Sequence, residues 1–232
     1  NNNFKIVSKI PKNSKKNINS ESIEKILKSS LSKVKENFFY GVLFHDVKFF
    51  NTSKGQKIFK YLLEFKKKKL IKKIGASIYS PSDLKLIKNK KIDIIQIPSN
   101  IIDRRFNHRI LSDLKKRGIE IHIRSIFLQG ILLKANYRFL KKNPQLTNVS
   151  KKFDNFCKYY KLSKLEACLI YVFSIKKIDK IIIGLDNFDQ FVKILKTVTK
   201  IEKNRNNYKN FINDSSSLSS RKLKVIDPRL WR

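Results

Sequence analysis

Residues 71–80 read IKKIGASIYS, residues 91–106 KIDIIQIPSNIIDRRF and residues 115–130 KKRGIEIHIRSIFLQG. Each stretch holds a short apolar, β-branched run that ends in polar residues or Gly before the next helical stretch. Runs such as Ile92–Ile97 and Ile119–Ile123, separated by helix-length amphipathic segments, predict parallel strands covered on both faces. Proteins of that class keep their chemistry at the C-terminal ends of the strands.

The same rhythm continues in both directions. Phe4–Ser8 reads as a strand ending near Lys9 and Pro11, and FYGVLF (39–44) is a strand that delivers His45 and Asp46 at its end. Ser20, followed by Glu24 and by the apolar positions Ile23, Ile26, Leu27, Leu31 and Val34, predicts a capped helix. Gly55–Phe65 predicts a second helix, Ser80-Pro81 opens a short one to Ile87, and Asp103–Arg117 predicts another. Residues 125–150, with Gly130 and Pro144, read as irregular; a helix at Ser163–Ile175, a strand at Lys180–Ile183 and a helix at Phe188–Thr199 follow.

Six strand-helix units result, whereas eight close a (β/α)8 barrel of about 250 residues. The competing architecture is an open doubly wound sheet, which calls for a Gly-rich nucleotide loop, and none of the six glycines forms a GxGxxG. The expected fold class is therefore α/β, an incomplete (β/α)8 TIM-type barrel over residues 1–202. Residues 203–232 are expected to form a polar connector and a tail, KVIDPRLW, that docks on the body through the only Trp.

The chain has 232 residues, enough for one full core, and 41% hydrophobic residues, which excludes a disordered polymer. Its formal charge of +35 raises nucleic acid as a partner. However, Lys outnumbers Arg about four to one and the cations are spread along helices without one basic stripe, so solvated helix faces are the expected explanation. Cys157 and Cys168 match neither a disulfide framework nor a zinc pattern, which points to buried thiols, no metal and a reducing, cytoplasmic compartment. No apolar stretch reaches the 18 or so residues of a membrane span.

Taken in order, FKIVSKI, FYGVLFHD, KKIGASIY, IDIIQIPSNIIDRRF, IEIHIRSIFLQGILL and IIIGLDNFDQF resemble the aldo/keto reductase family, above all a bacterial branch with an R-S-x-F-L-Q-G loop. The resemblance covers essentially the whole chain and implies strands three to eight of the family's barrel, with NADP or NAD as cofactor and a small carbonyl compound as substrate. It implies that Lys9 is the family lysine and His45 the histidine that orients the substrate oxygen. The family's Asp and Tyr are expected before residue 1, so the chain is expected to be N-terminally incomplete.

For the cofactor the resemblance implies Ser77 and Gln96 at the nicotinamide carboxamide, Ser125, Phe127, Gln129 and Gly130 along the pyrophosphate, and Gly184 with Gln190 near the adenosine phosphate. Three positions depart from the family: Ile78 replaces an Asn, Arg124 replaces the aromatic that stacks on nicotinamide, and Gln190 replaces a basic residue. Arg124 is expected to meet a cofactor phosphate, an acidic substrate or a rim carboxylate. His108 and His122 have no matching frame and read as structural. A non-catalytic barrel with a regulatory or assembly role, and a polyanion-binding protein, are the alternative functions.

Overall fold

The computed structural model describes residues 4–10, 19–134 and 137–231. The loop expected from Pro11 lies outside them. Among the described residues six strands follow one another in chain order: β1 (Val7–Ile10), β2 (Phe39–Phe44), β3 (Ile71–Ser77), β4 (Ile94–Pro98), β5 (Glu120–Arg124) and β6 (Lys180–Ile181). The neighbours β1/β2, β2/β3 and β3/β4 are parallel, as the apolar runs predict. By contacts the chain divides into two compact units, residues 1–97 with 109–122, and residues 98–108 with 123–232.

In the first unit the strands alternate with α1 (Ser20–Val34), α2 (Val47–Phe50), α3 (Ser53–Lys67), a 3-10 turn (Pro81–Ile87) and α4 (His108–Lys116). The cap of α1 is Asn19, not Ser20: Asn19 Oδ1 accepts from the Ser22 N–H at 2.8 Å and Ser22 Oγ accepts from the Asn19 N–H. A core of aromatic rings ties β2 to α2 and α3, with Phe44, Phe50 and Phe59 meeting edge to face at 4.9 Å. Ile58, Leu62, Phe65 and Ile74 are fully buried around it. The helix expected from Asp103 begins only at His108, because the Asn100 side chain accepts from the Ile102 and Asp103 N–H groups and holds that stretch in a turn.

Glu120 organises the polar residues of this unit. Tyr40 Oη donates to Glu120 Oε2 at 2.6 Å, Lys73 Nζ pairs with the same oxygen, and His122 Nε2 lies 2.7 Å from Oε1. Burial works to raise the Glu120 pKa, but the hydrogen bonds from Lys73, Tyr40 and His122 prevail and hold it at about 2. Tyr40 moves the other way: burial and its bond to the carboxylate raise its pKa. His122 thus has the structural surroundings its place inside a strand suggested.

In the second unit, residues 137–159, expected to be largely irregular, form α5 (Tyr137–Lys142) and α6 (Pro144–Tyr159). Pro144 starts α6 instead of breaking it, since the first turn of a helix needs no proline N–H. α7 (Lys164–Phe173) and α8 (Phe188–Lys203) follow. The polar stretch read as a loose connector forms short helical turns, among them α9 (Lys209–Asp214), before α10 (Leu223–Ile226). Arg104 fixes it by donating to the backbone oxygen and hydroxyl of Ser215, while Arg105 donates to Ile226 O. Cys157 and Cys168 are buried free thiols, and burial pushes the Cys157 thiol up to about 12.

Candidate functional site

The first unit contributes strand-end residues. Lys9 pairs with Leu43, Leu43 with Gly75, and Ser77 with Gln96. Paired residues on parallel strands share a face and residues two apart repeat it, so Lys9, Ser77 and Gln96 lie on one face of the sheet. His45 follows β2 directly, and its N–H donates to Ile10 O at 3.3 Å, next to Lys9 in the chain. Both Lys9 and His45 are exposed, whereas Ser77 and Gln96 are buried.

Two further features shape this strand-end group. The Gln96 backbone oxygen accepts from the Ile78 N–H at 2.8 Å and fixes the chain just after Ser77. Gln96 Oε1, by contrast, is buried without a hydrogen-bond partner among the described residues. An unpaired buried acceptor costs roughly 1–3 kcal/mol, which a ligand N–H would offset.

The second unit contributes a loop. Ser125, Leu128, Gln129 and Gly130 all have positive φ, at 59°, 47°, 56° and 83°. Left-handed backbone costs an L-residue roughly 1–2 kcal/mol, so three non-glycine residues in one hexapeptide form a strained turn. Bonds from Leu128 N–H to Ser125 O, from Gly130 N–H to Phe127 O and from Ile131 N–H to Leu128 O close it. The N–H groups of Ile126, Phe127 and Gln129 donate to no acceptor among the described residues. Successive free N–H groups in a turn that mixes right- and left-handed residues suit an anion.

The loop forms one wall of a cavity of about 840 Å³ within this unit. Ser125, Phe127, Gln129 and Gly130 come from the loop, Ser163 and Lys164 from the start of α7, and Gly184, Gln190 and Lys193 from the segment leading into α8 and its first turns. A capping box fixes the α7 end: Ser163 Oγ accepts from the Glu166 N–H at 3.2 Å and Glu166 Oε2 accepts from the Ser163 N–H at 2.8 Å. Gln190 is held by Asp186, whose N–H donates to Gln190 Oε1 at 3.0 Å, and by Asn187, whose Oδ1 accepts from the Gln190 N–H at 2.9 Å. Lys134, Lys164 and Lys193 against Asp186 leave the lining net positive. The volume lies within the range of small-molecule and cofactor sites.

Six residues singled out in the sequence, Ser125, Phe127, Gln129, Gly130, Gly184 and Gln190, therefore line one cavity. Arg124 is not among its lining residues; its Nη1 donates to Ser125 Oγ at 3.2 Å. Lys134, Ser163, Lys164 and Lys193 were missed. The SKLE pattern at 163–166 was legible as a helix start, but nothing local marks that start as opening onto a cavity. Among the described residues there is no cluster able to hold a metal ion, and no helix is long and apolar enough to cross a membrane.

Solved structures share this fold. Similar ones include the aldo-keto reductase AKR11C1 from Bacillus halodurans in its holo form, with 16% identity and a TM-score of 0.65 over 97% of this chain and 74% of that one. An aldo-keto reductase enzyme from a Medee basin deep-sea metagenome library has 12% identity and a TM-score of 0.61, covering 95% of this chain and 74% of that one. The thermostable aldo-keto reductase Tm1743, in complex with the inhibitor epalrestat, has 16% identity and a TM-score of 0.63 over 93% of this chain and 71% of that one. No curated protein matches. At these identities the structures speak for the fold alone, but a sequence model of the Aldo/keto reductase family matches residues 1–211, and the chain belongs to that family.

Proposed function

We propose that this chain binds a nicotinamide dinucleotide, NADPH or NADH, and serves a reductase that acts on a small carbonyl compound. The observation that carries the reading is the cavity of the second unit, where the strained 125–130 loop presents the N–H groups of Ile126, Phe127 and Gln129 beside Lys164 and Lys193. These donors suit the oxygens of a pyrophosphate. In the first unit the unpaired Gln96 Oε1 suits the N–H of a carboxamide, with Ser77 on the paired position of the neighbouring strand. When bound, the dinucleotide supplies the hydride.

His45 and Lys9 are the groups proposed to act on the substrate side. A hydrogen bond from His45 stabilises the carbonyl oxygen as negative charge grows on it. The Lys9 cation favours the ionised form of a tyrosine placed beside it, which lowers that phenol toward a useful acidity. The role of His45 is open to one experiment: NADPH and NADH oxidation measured with a panel of aldehydes, for the chain and for His45→Ala. Whatever turnover the chain supports is expected to fall about 100-fold or more in the variant. Equal turnover in both proteins would remove His45 from the site; nucleotide binding without turnover would favour a non-catalytic barrel.

A further inference from the structure

The 125–130 loop is strained, and strain persists only where the surroundings impose it. Its first residue, Ser125, is held in the left-handed region at φ 59°. The side chain that reaches it is Asn100, which is fully buried and whose Nδ2 donates to Ser125 O at 3.0 Å. That same oxygen accepts from the Leu128 N–H at 3.0 Å, the bond that closes the first turn of the loop. Asn100 thus donates to the carbonyl on which the loop folds.

Asn100 is itself fixed. Its Oδ1 accepts from the Ile102 N–H at 3.0 Å and the Asp103 N–H at 2.9 Å, and its N–H donates to Asp103 O at 3.1 Å. The adjacent Ser99 N–H donates to Arg124 O at 3.1 Å, so two consecutive residues grip two consecutive carbonyls at the loop entrance. Arg104 and Arg105, on the same segment, are tied to Ser215 and Ile226. The Asn100 amide therefore faces the loop from a clamped base.

We propose that Asn100 is a positioning residue for the anion-binding loop: its amide holds the Ser125 carbonyl so that the Ile126, Phe127 and Gln129 N–H groups stay turned out for phosphate oxygens. This rests on the nucleotide reading of the cavity. Asn100 does not line the cavity. Its effect passes through backbone geometry alone, so it acts on the affinity for phosphate and on neither the nicotinamide end nor the substrate.

Asn100→Ser separates the two functions of the side chain. A serine hydroxyl can still accept from the N–H two or three residues on, which keeps the 100–103 turn, but it is too short to reach Ser125 O. Two measurements on the full chain are needed: the dissociation constants of NADPH, NADH and inorganic pyrophosphate, and amide hydrogen exchange along the sequence. The proposal expects all three ligands to weaken alike, by about tenfold, and exchange to accelerate at 126–130 while the β2 and β3 amides keep their protection.

Unchanged constants in a chain that binds the dinucleotide would overturn the proposal. So would faster exchange throughout, the mark of a merely structural residue. If the unsubstituted chain binds none of the three ligands, the nucleotide reading fails by itself. The exchange arm then decides separately, with unaltered protection at 126–130 in Asn100→Ser ruling out a positioning role. Should Asn100→Ser fold poorly, Asn100→Asp preserves the acceptor and replaces the donor, with the same outcomes read.

Discussion

Glu120 is the residue whose surroundings make the most definite demand. It receives a tyrosine hydroxyl and a lysine ammonium on one oxygen, lies against a histidine on the other, and ionises in the folded chain at about 2 against 4.5 for the free side chain. A carboxylate with a depressed folded pKa adds stability that is complete above its unfolded value and is lost as pH falls toward the folded one. The stabilising effect of Glu120 is therefore present above pH 4.5 and fades between 4.5 and about 2. Glu120→Gln is expected to be less stable by roughly 1.5–3 kcal/mol at neutral pH, the worth of hydrogen bonds to a charged group. Denaturant titrations at a series of pH values check this: the gap between the two proteins should close toward pH 2. A gap that is constant with pH would show that the carboxylate charge contributes nothing.

At the scale of elements, β3 depends on a close approach. A methyl group on Gly75 would sit 2.5 Å from Ile94 O and 2.9 Å from the side chains of Ile94 and Leu43. Replacing a strand glycine with alanine ordinarily gains about 0.5–1 kcal/mol in backbone entropy, whereas overpacking costs about 1–3 kcal/mol. A clash with backbone cannot be relieved by a rotamer change, so the second effect wins and Gly75→Ala is expected to lower the denaturation midpoint. A raised midpoint would mean that β3 and β4 can separate without loss.

The elements also show what could be read from the chain alone. β2 to β5 were legible because their runs are buried and rich in apolar residues, whereas β1 lies at Val7–Ile10 and not at the expected Phe4–Ser8, and β6 is a two-residue, unburied piece of the expected Lys180–Ile183. α5 and α6 were not, because Gly130 and Pro144 look like punctuation when the partner that turns Pro144 into a helix start is simply its place in the first turn. Asn100 stood in the quoted QIPSN stretch, yet its partner Ser125 is 25 residues away and no local pattern announces that bond. Ser125, Phe127, Gln129 and Gly130 belong to the RSIFLQG motif and line the cavity, while Lys134, Ser163, Lys164 and Lys193 reach it from segments whose meeting is a matter of tertiary structure.

Considered as a whole, the molecule carries a charge of +35, with cations along the entire sequence. Some of its lysines are paired with carboxylates, as in Lys66–Asp93 at 2.6 Å, Lys164–Asp154 at 2.7 Å and Lys28–Glu24 at 2.8 Å, which leaves the net charge unchanged. Exposed pairs of this kind add little stability. The excess of cations nonetheless favours an anionic ligand, and the cavity of the second unit offers it fixed N–H donors as well as lysines. The central claim, that this cavity takes a nicotinamide dinucleotide, is tested most directly by blocking it.

Gly184 lines the cavity, and a Cβ built there meets nothing within 4 Å, so the side chain of Gly184→Leu starts in open space. Calorimetric titration of NADPH and NADH into the unsubstituted chain and into Gly184→Leu, at matched salt, is the decisive measurement. The account predicts saturable one-to-one binding of at least one dinucleotide by the unsubstituted chain, weakened by about tenfold or more in the variant. Equal affinity in the two proteins, or no binding of either dinucleotide by the unsubstituted chain, would contradict it.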